Sequence, residues 1–304
     1  MISLARILFF CSLMIAGTAL SAQTIDFNRP VKAGEVRTAR LRLKLSREYT
    51  FMIPGAGDSI KTVETMDLVM LTRIRILKLN EKSLPVNLEI EPEILGGTLN
   101  GRAIVPEELT GKKILADLSR YPCTFRSADG SAISRNGQII LASLFRVQFG
   151  ASYSKILGPP RPFKPRDRWT PDIKPILKSL AGRELREEIS ASQIQSAAQM
   201  GPLIKIDGIN CTSVDLTFRS MGTHSYDFRT TVRLVLPVDK KDGGPVSLHR
   251  EGVEVVDRKV ISGDPAAAGA SVRLVTTEQL EVVYASGSRA KKPEKKKMFQ
   301  DIFR

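Results

Sequence analysis

The chain has 304 residues, 42% of them hydrophobic, with a formal net charge of +14 and three cysteines. This length is enough for two domains with hydrophobic cores, and the cysteine content excludes a small scaffold built from disulfides. The positive charge favours anionic partners or surfaces.

The amino-terminal residues have the pattern of a secretory signal peptide. One cation, Arg6, precedes the apolar run Ile7–Ala16, and small residues follow up to Ala22. The run is short for a membrane span, and its flanks fit cleavage after Ala22. We therefore expect residues 1–22 to be removed and the chain to be exported to the periplasm or the extracellular space.

Residues 23–156 are predicted to form an antiparallel β domain. Arg40–Leu45 alternates three cations with three leucines, as a half-buried strand requires, and Lys61–Leu79 is a long β-prone segment. Asn100-Gly101 is a hairpin signal. The apolar spacing between Gly137 and Phe149 predicts a helix that closes over the sheet.

The cations of this half are a candidate binding patch. Arg40, Arg42 and Lys44 are predicted to lie on one face of one strand, where they could contact an anionic ligand. The alternative is an ordinary solvated sheet face. Aromatic residues are not interleaved with these cations, and this argues against nucleic acid as the ligand.

Residues 157–172 are rich in proline and contain Trp169, the only tryptophan. Proline excludes a helix interior and a central strand, so we predict an extended hinge between two domains. Three interpretations remain open. The segment is a docking ligand for an aromatic groove, Trp169 lines a ligand pocket between the domains, or the segment is a stiff linker whose buried indole N–H is hydrogen-bonded.

Residues 173–285 are predicted to form a second antiparallel β domain. A short helix is expected near Ile173–Leu180, and Arg183–Met200 fits either a helix or a strand. Leu203–Ile206, the turn Asp207-Gly208 and Ile209–Phe218 are predicted to form a hairpin. The other predicted strands are Phe228–Leu236, Val246–Val260 with a break near Gly252, and Val272–Tyr284. The fold class is thus α+β, predominantly antiparallel β, with one or two short helices in each domain. Duplication of the halves stays open.

Catalytic and metal-binding patterns are missing from the sequence. Its two histidines, His224 and His249, have no ligand spacing, and no nucleophile motif occurs. We expect a non-enzymatic protein without a cofactor or metal. Cys123 and Cys211 could form a disulfide or stay as two buried thiols.

Residues 286–304 form a basic tail that is predicted to be flexible. Lys295, Lys296 and Lys297 precede Phe299 and Phe303, a combination suited to an anionic membrane surface or a partner groove.

The string Lys164–Trp169, KPRDRW, resembles a K-P-x-x-x-D-x-W-like hinge of uncharacterised secreted bacterial proteins with two β-rich halves. The resemblance implies a bacterial envelope protein and assigns no catalytic residue.

Two functions are compatible with the sequence. The first is a binding protein that holds an apolar or anionic envelope ligand, such as a lipid or an anionic cell-wall polymer, on a sheet face or in the groove beside Trp169. The alternative is a scaffold or assembly component of the envelope that docks on an envelope protein through its tail.

Overall fold

A computed structural model describes residues 23–28, 31–53, 59–81, 83–119, 123–145, 153–174, 191–221, 226–239, 241, 243–259 and 269–285. The strands are β1 (Gln23–Ile25), β2 (Val36–Met52), β3 (Ser59–Leu79), β4 (Pro85–Leu99), β5 (Arg102–Ile104), β6 (Ile114–Asp117), β7 (Thr124–Ser127), β8 (Arg161–Phe163), β9 (Arg168–Trp169), β10 (Ile194–Ile206), β11 (Ile209–Ser220), β12 (Tyr226–Pro237), β13 (Ser247–Lys259) and β14 (Ser271–Tyr284). The helices are α1 (Arg135–Leu144), α2 (Tyr153–Leu157) and the 3-10 helix Ala191–Gln193.

Most strands belong to one open antiparallel sheet. Among the described residues this sheet has 12 strands: eleven follow the order β7-β6-β4-β3-β2-β14-β13-β12-β11-β10-β9, and the twelfth, β5, pairs with β4. The strands β1 and β8 form a separate two-stranded sheet. The predominantly antiparallel β prediction is confirmed.

Strands from both halves of the chain meet in the middle of this sheet. All 14 residues of β14 pair with β2, so the last described strand lies beside one of the first. One hydrophobic cluster contains residues of both halves, among them Leu43 and Leu234. The structure therefore does not confirm two domains with separate cores.

Two hairpin turns are formed by residue pairs that favour a positive φ. Asn100 (φ 50°) and Gly101 (φ 74°) connect β4 to β5, and Asp207 (φ 49°) and Gly208 (φ 85°) connect β10 to β11. Both hairpin predictions are confirmed, because these residue types tolerate a positive φ.

One segment differs from the prediction, and another matches one of the alternatives that the sequence left open. The strand β13 continues through Gly252, where we expected a break, because that residue pairs with both Thr230 and Glu278. The ambiguous segment Arg183–Met200 is described from Ala191, where a short 3-10 helix leads into β10.

Helices and short strands of the middle segment cover part of the sheet. Ser134 caps the amino end of the helix α1, which buries Ile140, Leu141 and Leu144. It ends at Leu144, before the predicted limit at Phe149. These side chains join Ile156 of α2 and the sheet in one core.

The proline-rich segment is extended, as predicted, yet it contributes strands. The strand β8 pairs with β1, and β9 pairs with β10 at the edge of the large sheet. No helix among the described residues is long and apolar enough to cross a membrane.

Candidate functional site

One face of the sheet carries the core, and we call it the core face. In β2 this face bears Leu41, Leu43 and Leu45, which are 3%, 1% and 7% exposed. Residues directly opposite each other on antiparallel strands point to the same side of the sheet. We call a set of such opposite residues, followed from strand to strand by the register, a row.

The rows become more exposed toward the connection between β2 and β3. We call six core-face side chains the apolar end: Tyr49, Phe51, Ile60, Val256, Val272 and Leu274, which the register places in two neighbouring rows. Phe51 is 38% exposed and Ile60 is 57% exposed, and the rings of Tyr49 and Phe51 stack with centroids 6.4 Å apart. Val256 packs against the main core, whereas Phe51 and Ile60 leave apolar surface in contact with solvent.

Polar side chains lie on the same face next to the apolar end. We call this group the polar patch: Thr230, Arg250, Glu254, Thr276 and Glu278, which come from β12, β13 and β14. Thr230, Thr276 and Glu278 are buried. Polar residues at core-face positions require hydrogen-bond partners, so the patch is the chemically unusual part of the sheet.

An ion pair lies at the centre of the polar patch. The Arg250 Nη1 atom is 3.6 Å from the Glu278 Oε1 atom, and the two side chains are 18% and 8% exposed. Among the described residues, neither Glu278 Oε1 nor Arg250 Nε has a hydrogen-bond partner. The arrangement can therefore accept one hydrogen bond and donate another.

The predicted basic patch lies on the opposite face of the sheet. Arg40 forms an ion pair with Glu281 at 3.7 Å, and Asp67 lies 3.7 Å from Arg42 and 4.0 Å from Lys44. All three cations are about half exposed. Because each cation has an acidic neighbour, this face offers an anion less net charge than the sequence alone indicated.

Trp169 lies in an aromatic cluster. Its ring centroid is 4.8 Å from that of Phe163 and 6.3 Å from that of Phe27, and the Arg161 guanidinium lies over it at 5.3 Å. The indole Nε1 is buried and has no partner among the described residues, contrary to the hydrogen bond expected for a linker tryptophan. The ring packs on the main core.

Other predicted positions contribute little chemistry. Cys123 and Cys211 are free thiols, and burial raises the pKa of the Cys123 thiol. His249 contacts Glu251 at the surface. Within the described ranges, no group of three or more His, Cys, Asp or Glu side chains could hold a metal. The predicted signal peptide, His224 and the tail residues Lys295, Lys296, Lys297, Phe299 and Phe303 lie outside those ranges, so both the signal peptide and the scaffold alternative stay predictions.

The sequence interpretation missed the polar patch. A signal was available, because Thr276 and Glu278 occupy the same alternating positions as Leu280 and Val282 in β14. A carboxylate at a core position is a candidate functional group.

No protein-family model and no curated protein matches the chain. Among solved structures, the chain is similar to lipovitellin, described for its lipid–protein interactions, with a TM-score of 0.30 and 9% identity over 86% of this chain and 26% of that one. The chain thus spans about a quarter of that protein's length. It is also similar to OccK11 (OpdR) of Pseudomonas aeruginosa, with a TM-score of 0.18 and 9% identity over 84% of this chain and 98% of that one. At these TM-scores neither likeness carries an argument about this protein.

Proposed function

We propose that the protein is an exported, non-enzymatic binding protein that takes an amphipathic envelope ligand on the core face. The apolar end holds the apolar part of the ligand, and the adjacent polar patch holds its polar part. Export follows from the signal peptide in residues 1–22.

The exposure of the apolar end is the observation that carries this proposal. Phe51 and Ile60 pair directly across β2 and β3, and both are more than a third exposed, although core-face leucines further along β2 are nearly fully buried. Covering large apolar side chains releases about 25 cal/mol for each Å² removed from water. A ligand that covers this end therefore gains binding energy from the burial of apolar surface alone.

The basic face is a weaker candidate for the same function. Its cations Arg40, Arg42 and Lys44 are paired with Asp67 and Glu281, so an anionic polymer would have to compete with those carboxylates. We therefore place the ligand on the core face rather than on the opposite face, and away from Trp169, whose ring packs on the main core.

Binding of a neutral apolar probe tests the proposal. N-phenyl-1-naphthylamine should bind saturably to the purified protein, and Ile60→Ser should weaken binding roughly tenfold, because a largely covered isoleucine contributes on the order of 1.5 kcal/mol. Fluorescence titration measures both affinities.

Ile204→Ser is the matched control. Ile204 is 39% exposed and lies on β10, at the opposite end of the sheet, so the same substitution there should leave the affinity unchanged. The absence of saturable binding to the unaltered protein, or equal losses in both variants, would rule out the apolar end as the binding surface.

A further inference from the structure

Two neighbouring polar atoms in the polar patch lack hydrogen bonds. Glu278 is 7% exposed, and its Oε1 atom is buried without a partner among the described residues. The Arg250 Nε atom is also buried and also lacks a partner among these residues. The 3.6 Å between Arg250 Nη1 and Glu278 Oε1 exceeds the 2.7–3.2 Å of an ordinary N–H···O bond, so the pair does not satisfy itself.

The hydrogen bonds that these atoms need define the group that fits between them. Glu278 Oε1 needs a donor, whereas Arg250 Nε needs an acceptor. A hydroxyl group supplies both from one oxygen atom. An anionic group is attracted by Arg250 but repelled by Glu278, and the reverse holds for a cationic group, so the ion pair gives neither charge a net advantage. The local chemistry therefore favours a neutral group that carries hydroxyls.

The hydroxyl side chains of the patch add to this preference. Thr230 and Thr276 are 5% and 6% exposed. Thr230 lies in the same row as Glu278, and Thr276 lies in the next row toward the apolar end. Each of their hydroxyls can donate to or accept from a ligand hydroxyl. A head group with two or more hydroxyls can thus contact several members of the patch.

The distance from the patch to the apolar end fits one extended chain. Leu274 and Val272 lie four and six residues before Glu278 on β14, about 13 and 20 Å along a strand. We propose that the ligand is a single-chain amphiphile with a neutral, hydroxyl-bearing head group of the kind found in a monoacylglycerol. The head group binds Arg250 and Glu278, and the chain runs toward Phe51. This inference rests on the proposed function of the core face.

Calorimetric titration with three amphiphiles of equal chain length tests the head group. Dodecanoylglycerol is neutral, dodecanoate is anionic and dodecylamine is cationic, and each is used below its micelle concentration. We expect dodecanoylglycerol to bind at least about tenfold more tightly than either charged amphiphile, because hydrogen bonds to buried charged groups are among the stronger ones.

Substitution of the ion pair should change the preference in a directed way. Glu278→Gln should weaken dodecanoylglycerol binding several-fold and strengthen dodecanoate binding, because the repelling charge is removed. Glu281→Gln is the control, since Glu281 lies three residues along β14 on the opposite face and is paired with Arg40. It should leave all three affinities unchanged.

A second variant keeps the test valid if Glu278→Gln does not fold. Arg250→Gln should also weaken dodecanoylglycerol binding, because a donor to the head group is lost, and it should strengthen dodecylamine binding, because the charge that repels a cation is removed. Circular dichroism checks the fold of each variant.

The outcomes separate the two proposals. Equal affinity for the three amphiphiles, with N-phenyl-1-naphthylamine still bound at the apolar end, would overturn the head-group inference and leave the proposed function intact. A water molecule between Arg250 and Glu278 would give that result. Failure of all four probes to bind would overturn both proposals.

Discussion

The covered and exposed ends of the core face are built from the same strands but behave differently. At the covered end, Leu41, Leu43, Leu280 and Val282 are at most 7% exposed and share a core with α1 and α2. At the apolar end, Phe51 and Ile60 are 38% and 57% exposed. The burial of β2 and β14 alternates residue by residue at the covered end and loses this alternation at the apolar end.

The difference shows why some core-face side chains are buried in the core and others are not. Alternation determines the face on which a side chain lies, whereas burial depends on what packs over that face. The helices and the short sheet β1–β8 supply that cover for the large core cluster. Apolar side chains that continue beyond it are available for a ligand.

The largest expected difference between the covered end and the apolar end is in stability. It is tested by truncating one leucine of β14 at each end. Leu280→Ala removes a side chain that is 2% exposed and should lower the free energy of unfolding by about 2–5 kcal/mol. Leu274→Ala, six residues earlier on the same face and only half-buried, should cost about 1 kcal/mol. Guanidinium unfolding of both variants measures these losses.

The same unfolding curves test whether the sheet is one cooperative unit. We expect Trp169 fluorescence and far-ultraviolet circular dichroism to report one coincident transition, because β2 and β14 pair along the whole of β14. Two separate transitions would support the two-domain division at residues 157–172. Equal losses for Leu280→Ala and Leu274→Ala would contradict the distinction between the ends.

High pH should lower the stability of the fold through two buried tyrosines, Tyr153 and Tyr284. We expect this loss to be smaller than the loss caused by Leu280→Ala. Burial raises the pKa of Tyr284, and burial together with the neighbouring Tyr284 raises the pKa of Tyr153. A tyrosine whose folded-state pKa is raised contributes stability below the unfolded pKa of about 10, and this stability is lost as the pH rises above that value.

Thermal unfolding between pH 9 and 11 measures this dependence. The melting temperature should fall above about pH 10, and the double variant Tyr153→Phe, Tyr284→Phe should fall less steeply over the same range. An unchanged slope in the double variant would show that these two phenols are not responsible.

Local features of the fold could be predicted from the sequence, whereas its strand order could not. The alternation of Arg40–Leu45 and the turns Asn100-Gly101 and Asp207-Gly208 gave correct strands and hairpins, because these signals act over a few residues. The pairing of β2 with β14 joins segments more than 200 residues apart, and nothing in either strand specifies that partner. The proline-rich segment contributes the short strands β8 and β9, which lie outside the sheet centre, where proline is tolerated.

The candidate site was predictable only in part. A sheet face was among the expected binding surfaces, but the predicted residues Arg40, Arg42 and Lys44 lie on the ion-paired face. The polar patch combines Thr230, Arg250 and Glu278 from three strands, so its geometry depends on the register of β12, β13 and β14. Only the inward position of Glu278 could have indicated it in advance.

Photo-crosslinking is the most direct test of the apolar end as a ligand-binding surface. A twelve-carbon alcohol with a diazirine at the end of its chain would be bound to the purified protein, irradiated and located by mass spectrometry. We predict that the labelled peptides contain Tyr49–Phe51 and Val272–Leu274 and that Ile60→Ser reduces the labelling. Labelling concentrated at Trp169, or at Leu203 and Ile204 on β10, would contradict this assignment.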